Sequence, residues 1–139
     1  CGIEFANENL FQDAICFVTR ENKKIEAFWR SLGSKPIFIN ETDHDAWVAK
    51  CSHLPHALSF CLFQKMDSKY PQNPSLRDMA RLAKSSPQLW SDIFLSNREQ
   101  VLKAAKEFQK NFFKFQKALQ TKDRKTIIAF IKKANPQQS

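Results

Sequence analysis

Val101, Ala105, Phe108, Phe112, Phe115 and Leu119 recur at alternating spacings of four and three residues. At 3.6 residues per turn this winds a single apolar stripe along a helix about 30 Å long, and such a stripe has to be covered. Lys103, Lys106, Lys110, Lys114 and Lys117 fall on the opposite side. The segment therefore reads as a long amphipathic helix. Its heptad-like seam and its phenylalanines predict packing on other helices and against a second copy of the domain.

The same helix explains the charge. The 139 residues carry a net charge of +8. From Arg98 onward eleven Lys and Arg face only Glu99, Glu107 and Asp123, whereas before Arg98 eleven bases balance eleven acids. All the excess sits behind a packing stripe, so it reads as a solvated helix face and not as a nucleic-acid footprint. Gly2 and Gly33 are the only glycines, which excludes a glycine-rich phosphate loop within this chain. No apolar run reaches the roughly 20 residues of a membrane helix, and the first residues lack a signal-peptide pattern, so no membrane partner and a cytoplasmic address are expected. Cys1, Cys16, Cys51 and Cys61 form no CxxC pair and read as small apolar residues in a reducing compartment. A start at Cys1 points to a fragment of a longer protein.

The first forty residues differ from the rest. Ala14 to Thr19 is a short apolar run with β-branched and aromatic members. Glu21 to Leu32 is helical in period, with Ile25, Phe28, Trp29 and Leu32 on one face and Gly33 as its stop, and Pro36 to Ile39 reads as a second strand. This is the economy of a βαβ unit, too small to cover both faces of a sheet and so the end of an α/β domain. After Asn40 only helices are expected. One runs from a cap at Thr42 to about Lys65. A loop at Tyr70–Ser75 follows, then a helix from Leu76 to Lys84 capped by Ser75, and another opened by Ser86 and Pro87. Ser96 and Glu99 form a capping box for the long helix to about Gln120, and Asp123 opens a last helix through Lys133.

Chemistry concentrates in Cys51-Ser-His-Leu-Pro-His56 and in Arg77-Asp-Met-Ala-Arg81. Cys51, His53, His56 and Cys61 are zinc-ligand types. At 100° per residue from His44, however, Cys51 lies at about 340°, His53 at about 180° and His56 at about 120°, so a tetrahedral site on this helix fails and no metal is expected. Asp45, Ser52 and His56 fall on one side of the same projection, at about 100°, 80° and 120°. Pro55 bends the helix at their level by withholding an N–H. That stripe is either a capped helix start with one satisfied histidine or the wall of a site. Arg77 and Arg81 lie one turn apart beside Asp78. They form either a surface ion-pair helix or a fork for a carboxylate ligand, and spacing does not decide.

Taken in order, His44-Asp45, Ser52-His-Leu-Pro-His56, Arg77-Asp-x-x-Arg81-Leu-Ala, Ser86-Pro-x-x-Trp90-x-Asp92-Ile93 and Asn97 resemble the C-terminal region of prephenate dehydrogenases. Gly2-Ile-Glu-Phe5, Asn9-Leu-Phe11 and the strand ending at Thr19 resemble the end of that family's nucleotide-binding domain. The resemblance implies a mainly α fold: residues 1–41 as the tail of a Rossmann domain and 42–139 as an all-helical dimerisation and substrate-binding domain, like the C-terminal domain of 6-phosphogluconate dehydrogenase. It implies NAD(P)-dependent oxidative decarboxylation of prephenate to 4-hydroxyphenylpyruvate, on the way to tyrosine, by a homodimer. Carried over by motif, His56 and Ser52 line the substrate pocket and Arg81 binds a substrate carboxylate. Asp45, Arg77 and Asp78 form ion pairs at the pocket and subunit interface, and His53 is structural. The catalytic histidine and the glycine-rich fingerprint for NAD or NADP would lie upstream of Cys1, leaving the fragment inactive by itself. The alternatives are arogenate dehydrogenase and a non-catalytic basic helical dimerisation module.

Overall fold

The computed structural model describes residues 9–66 and 73–135. Its internal contacts divide the chain between Val48 and Ala49. The expectations that fall on Cys1, on Gly2 to Phe5 and on the loop at 70–72 lie outside the described residues.

In the first unit, strands β1 (Ile15–Val18) and β2 (Lys35–Phe38) pair in parallel, Ile15 opposite Lys35 and Val18 opposite Phe38. Helix α1 (Lys23–Ser31) supplies the crossover that a parallel pair requires. It starts at Asn22, whose side-chain oxygen accepts hydrogen bonds from the backbone N–H groups of Lys24 and Ile25 at 3.0 and 3.2 Å. It stops in a Schellman turn: Gly33 N–H donates to the Arg30 carbonyl and Ser34 N–H to that of Trp29, with Gly33 at φ +85°. Helix α2 (Glu41–Val48) follows. Its cap is Asn40 and not Thr42. The Asn40 side-chain oxygen accepts from Asp43 N–H at 2.9 Å, so the helix opens one residue before the expected cap and draws Thr42 into its first turn. Phe17 meets Trp47 edge-on with ring centroids 4.9 Å apart. Ser34 is the only buried residue among those described in this unit, because two short strands and two short helices are too few to enclose an interior.

The second unit corrects the expectation of one uninterrupted helix from Thr42 to Lys65. A π-helical turn, Ala49–His53, separates α2 from α3 (Leu54–Phe63). Pro55 explains the break. Without an N–H it cannot bond back to Cys51, but among the first residues of a new helix it has no such bond to make. A 3₁₀ turn, Pro74–Leu76, leads into α4 (Arg77–Ala83), and its cap is Asn73, whose side chain accepts from Ser75 N–H at 3.0 Å, so Ser75 is the capped residue and not the cap. Helix α5 (Pro87–Ser96) opens as expected on Ser86, which accepts from Leu89 N–H, with Pro87 in its first turn. Helix α6 (Arg98–Gln120) has no capping box. The Ser96 hydroxyl donates to the Ile93 carbonyl of the preceding helix, and the residue before α6 is Asn97, whose amide is used elsewhere. Asp123 caps α7 (Arg124–Ala134) as expected, accepting from Thr126 N–H at 3.0 Å.

Among the described residues the interior of this unit is made of Ala49, Ser59, Ala80, Trp90, Ala104 and Ala118. Small side chains let the helices approach closely but remove little apolar area from water. Ser59 is wholly enclosed and keeps its hydroxyl satisfied by donating to the Pro55 carbonyl at 2.8 Å. On α6 the chain buries Ala104 and Ala118, to one side of the seam read from the sequence, while Phe112 and Leu119 in that seam stay 46% and 51% exposed.

The α6–α7 turn carries a local strain. Asp123 N–H donates to the Ala118 carbonyl at 2.9 Å, a Schellman closure that places Lys122 at φ +53°. A left-handed backbone costs a non-glycine residue roughly 1–2 kcal/mol, of which glycine's greater freedom in the unfolded chain returns part. Lys122→Gly is therefore expected to stabilise the protein by roughly 0.5–1 kcal/mol, read as a raised urea midpoint at fixed chain concentration. An unchanged or lowered midpoint would contradict it.

Candidate functional site

The π turn determines where two histidines point. His53 closes it and His56 lies in the first turn of α3, and both reach Trp90 of α5. The His56 ring stacks on the indole, centroids 3.5 Å apart and planes 22° from parallel, whereas His53 meets the same indole edge-on at 6.0 Å and 81°. Phe60 and Phe94 complete an aromatic cluster around Trp90, Phe60 edge-on at 6.4 Å and Phe94 tilted at 5.5 Å. The amide of Asn97 lies 3.4 Å from His53 Nδ1. That contact ties His53 to the residue before α6.

His56 is set up as a neutral ring with a defined tautomer. Its Nδ1 lies 2.9 Å from the carbonyl oxygen of Ser52, a group that only accepts, so Nδ1 carries the proton and Nε2 the lone pair. Burial among aromatic rings lowers its pKa below the ordinary histidine value. The Ser52 carbonyl opposes that shift, and the positive charge of Arg81 adds to it. The arginine is thus close enough to act electrostatically on the imidazole. Together they give a cation and an uncharged acceptor beside a flat aromatic wall, chemistry suited to a ring-bearing carboxylate.

The expected site residues do not all contribute in the expected way. Ser52 engages His56 through its backbone carbonyl. Arg81 Nε lies 3.8 Å from Asp78 Oδ1, with both side chains more than half exposed, so that pair contributes little and leaves the guanidinium available. Arg77 is exposed on α4. Asp45 belongs to α2, where its Oδ1 lies 3.1 Å from His44 Nδ1. Trp90 was visible in the sequence only as part of a motif. The signal that marks it is its place in the first turn of a helix started by Ser86 and Pro87, which turns the indole inward.

Among the described residues no three His, Cys, Asp or Glu side chains converge as a metal site, and no helix is long and apolar enough to cross a membrane. Among the described residues no glycine-rich turn fits a dinucleotide's pyrophosphate: the β1–α1 turn reads Thr19-Arg-Glu-Asn22. The cavity of about 310 Å³ beside it has a mixed lining that includes Glu21, Asn22, Lys23 and Glu26.

The family model of the prephenate dehydrogenase dimerization domain matches residues 40–133. A mainly helical chain after a short parallel strand pair, with two histidines against a buried tryptophan, is thus an oxidoreductase-family domain, and the chain belongs to the prephenate dehydrogenase family. It is 26% identical over 137 residues to the prephenate dehydrogenase of Lactococcus lactis subsp. cremoris, covering 93% of this chain and 39% of that one. It is 28% identical over 119 residues to the cyclohexadienyl dehydrogenase of Zymomonas mobilis, covering 79% of this chain and 41% of that one. The chain therefore spans about two fifths of the length of these curated relatives. Among solved structures, the Aquifex aeolicus prephenate dehydrogenase in complex with hydroxyphenyl propionate and NAD+ superposes with a TM-score of 0.82 at 28% identity, over 96% of this chain and 52% of that one. The mainly α fold with a short βαβ lead read from the sequence agrees with these likenesses.

The state of His56 is directly measurable. Its proton NMR titration is expected to have a midpoint below the ordinary histidine value of about 6.5, and Arg81→Leu should move that midpoint upward. Because the folded pKa is depressed, the stability linked to this ring is fully present above the unfolded histidine pKa and is lost as pH falls through the folded one. A midpoint at or above that of a free histidine would contradict the geometry.

Proposed function

We propose that this chain is the C-terminal part of an NAD(P)-dependent prephenate dehydrogenase, residues 1–41 ending its nucleotide-binding domain and 42–139 forming its helical domain. The full enzyme would oxidatively decarboxylate prephenate to 4-hydroxyphenylpyruvate in tyrosine biosynthesis, in the cytoplasm, as a homodimer. The observation that carries the reading is the neutral His56 stacked on Trp90 beside the charge of Arg81. Prephenate is a ring with two carboxylates, and these groups match it part for part. Arg81 pairs with a carboxylate, which a guanidinium does bidentately. His56 Nε2 accepts a hydrogen bond from the substrate side, and Ser52 holds the imidazole in that orientation through its carbonyl. Arg77 and Asp78 serve as ion-pair partners at the pocket rim and subunit interface.

The catalytic histidine and the hydride acceptor, NAD or NADP, belong to the part of the enzyme preceding residue 1. This chain's contribution is binding and orientation. The cyclohexadienyl dehydrogenase relative favours one alternative, in which the same site also takes arogenate, whose side chain bears an amino group in place of the keto group.

Steady-state kinetics of the full-length enzyme test this. Arg81→Ala should raise the KM for prephenate by roughly 30- to 100-fold, the worth of a lost charge-assisted hydrogen-bond pair, and leave the KM for the cofactor near its original value. Equal effects on both constants would remove the assignment of Arg81. Efficient turnover of arogenate without turnover of prephenate would overturn the substrate.

A further inference from the structure

We propose that Asn97 is a positioning residue for the candidate site: its amide holds His53 as the Nε2–H tautomer, and His53 and His56 together clamp the Trp90 indole at the angle that presents a flat wall to a ring-bearing substrate. The clamp rests on the proposed function for the identity of that substrate and adds to it a residue that touches no ligand.

Asn97 leaves a helix cap unmade. It stands immediately before α6, where an asparagine side chain ordinarily accepts a hydrogen bond from an N–H of the first turn. Its backbone serves the junction on both sides: the N–H donates to the Ile93 carbonyl at 3.2 Å, closing α5, and the carbonyl accepts from Val101 N–H at 3.1 Å, opening α6. Its side chain makes no capping bond. Ser96, the neighbour able to cap, donates its hydroxyl to the Ile93 carbonyl at 2.9 Å. The longest helix described therefore begins without the stabilisation a side-chain cap supplies, and the Asn97 amide nitrogen is turned to His53 Nδ1, 3.4 Å away.

That contact selects a tautomer. An amide nitrogen only donates, so the His53 ring accepts at Nδ1 and carries its proton on Nε2. His56 is the reverse, its Nδ1 facing the Ser52 carbonyl, which only accepts. Two histidines three residues apart are thus set in opposite tautomers, one by an acceptor inside the π turn and one by a donor from the α5–α6 junction.

Both rings bear on one buried indole. A ring stacked 22° from parallel, as His56 is, restrains the tilt of Trp90 but leaves it free to slide along the contact. A ring at 81°, as His53 is, opposes that slide, provided its own ring cannot turn. The Asn97 contact, reaching across 44 positions of sequence, opposes that turning. Asn97 therefore acts on the wall through His53.

The test is histidine nitrogen NMR of the intact protein joined to steady-state kinetics of the full-length enzyme. In the wild type, nitrogen shifts should show His53 protonated on Nε2 and His56 on Nδ1, with the His56 ring protons displaced upfield by the indole they stack on. Asn97→Asp, equal in size and itself a good cap, replaces the donor by an acceptor and should move the His53 proton to Nδ1. Asn97→Leu removes the donor without adding charge. The upfield displacement of His56 should then shrink, and the KM for prephenate should rise roughly 3- to 10-fold, the worth of one neutral hydrogen bond, while kcat and the cofactor KM stay near their original values. A loss of stability alone would lower the active fraction, and so kcat, and leave KM unmoved. A wild-type His53 protonated on Nδ1, measured without any variant, would overturn the proposal. So would unchanged His56 shifts and an unchanged prephenate KM in Asn97→Leu. If the spectra are as expected and the full-length enzyme does not act on prephenate, the clamp stands and the proposed substrate falls.

Discussion

Everything at the candidate site depends on an N–H that is missing. Pro55 cannot donate to the carbonyl four residues back, and the chain responds with a π turn over Ala49–His53 and a fresh start to α3. That restart brings His53 and His56 to the same indole from two directions, one edge-on and one stacked. On a continuous α-helix the two rings, three residues apart, would lie about 60° apart on one face; here His53 belongs to the π turn and His56 to α3. π turns recur at functional positions because one extra residue re-aims side chains without ending the helix.

The same restart ties backbone to protonation. The Ser52 carbonyl, inside the π turn, accepts from His56 Nδ1 and so selects its tautomer, while the aromatic enclosure disfavours the charged ring. Arg81 then supplies a positive charge acting on His56, and it does so from α4, which follows the 3₁₀ turn capped by Asn73. The groups of the candidate site are therefore shared among three helices, none of which places them alone. In the helical unit as a whole the balance is similar. Alanines allow close helix contacts, Trp90 anchors the cluster, and most large apolar side chains on α6 and α7 face outward.

Much of this was legible in the residues themselves. The βαβ start, the switch to helices after Asn40, the end of α6 at Gln120 and the Asp123 cap follow from periodicity and capping chemistry, and they agree with the structure. The misreadings share a form. Thr42, Ser75 and Ser96 read as caps from the sequence, whereas an asparagine stands one or two positions away from each, at Asn40, Asn73 and Asn97. Hydroxyl and amide side chains compete for the same orphan N–H groups, and which one succeeds depends on backbone dihedrals that composition does not carry. Asn97 illustrates the limit, because its amide turns to His53, a residue 44 positions earlier.

The sequence by itself determined the class of fold and the family and supplied the candidate site residues, since periodicity, motif order and side-chain chemistry are properties of the chain. Only the tertiary structure decided which of those residues meet. A helical projection assumes 100° per residue, and the π turn before Pro55 breaks that assumption where it matters most. The Ser52 hydroxyl gave way to its carbonyl, Trp90 became the surface on which His56 rests, and the seam of α6 proved to be only partly covered by its own chain. Those outcomes come from packing between elements distant in sequence, where small side chains choose the contact and large ones are left facing outward.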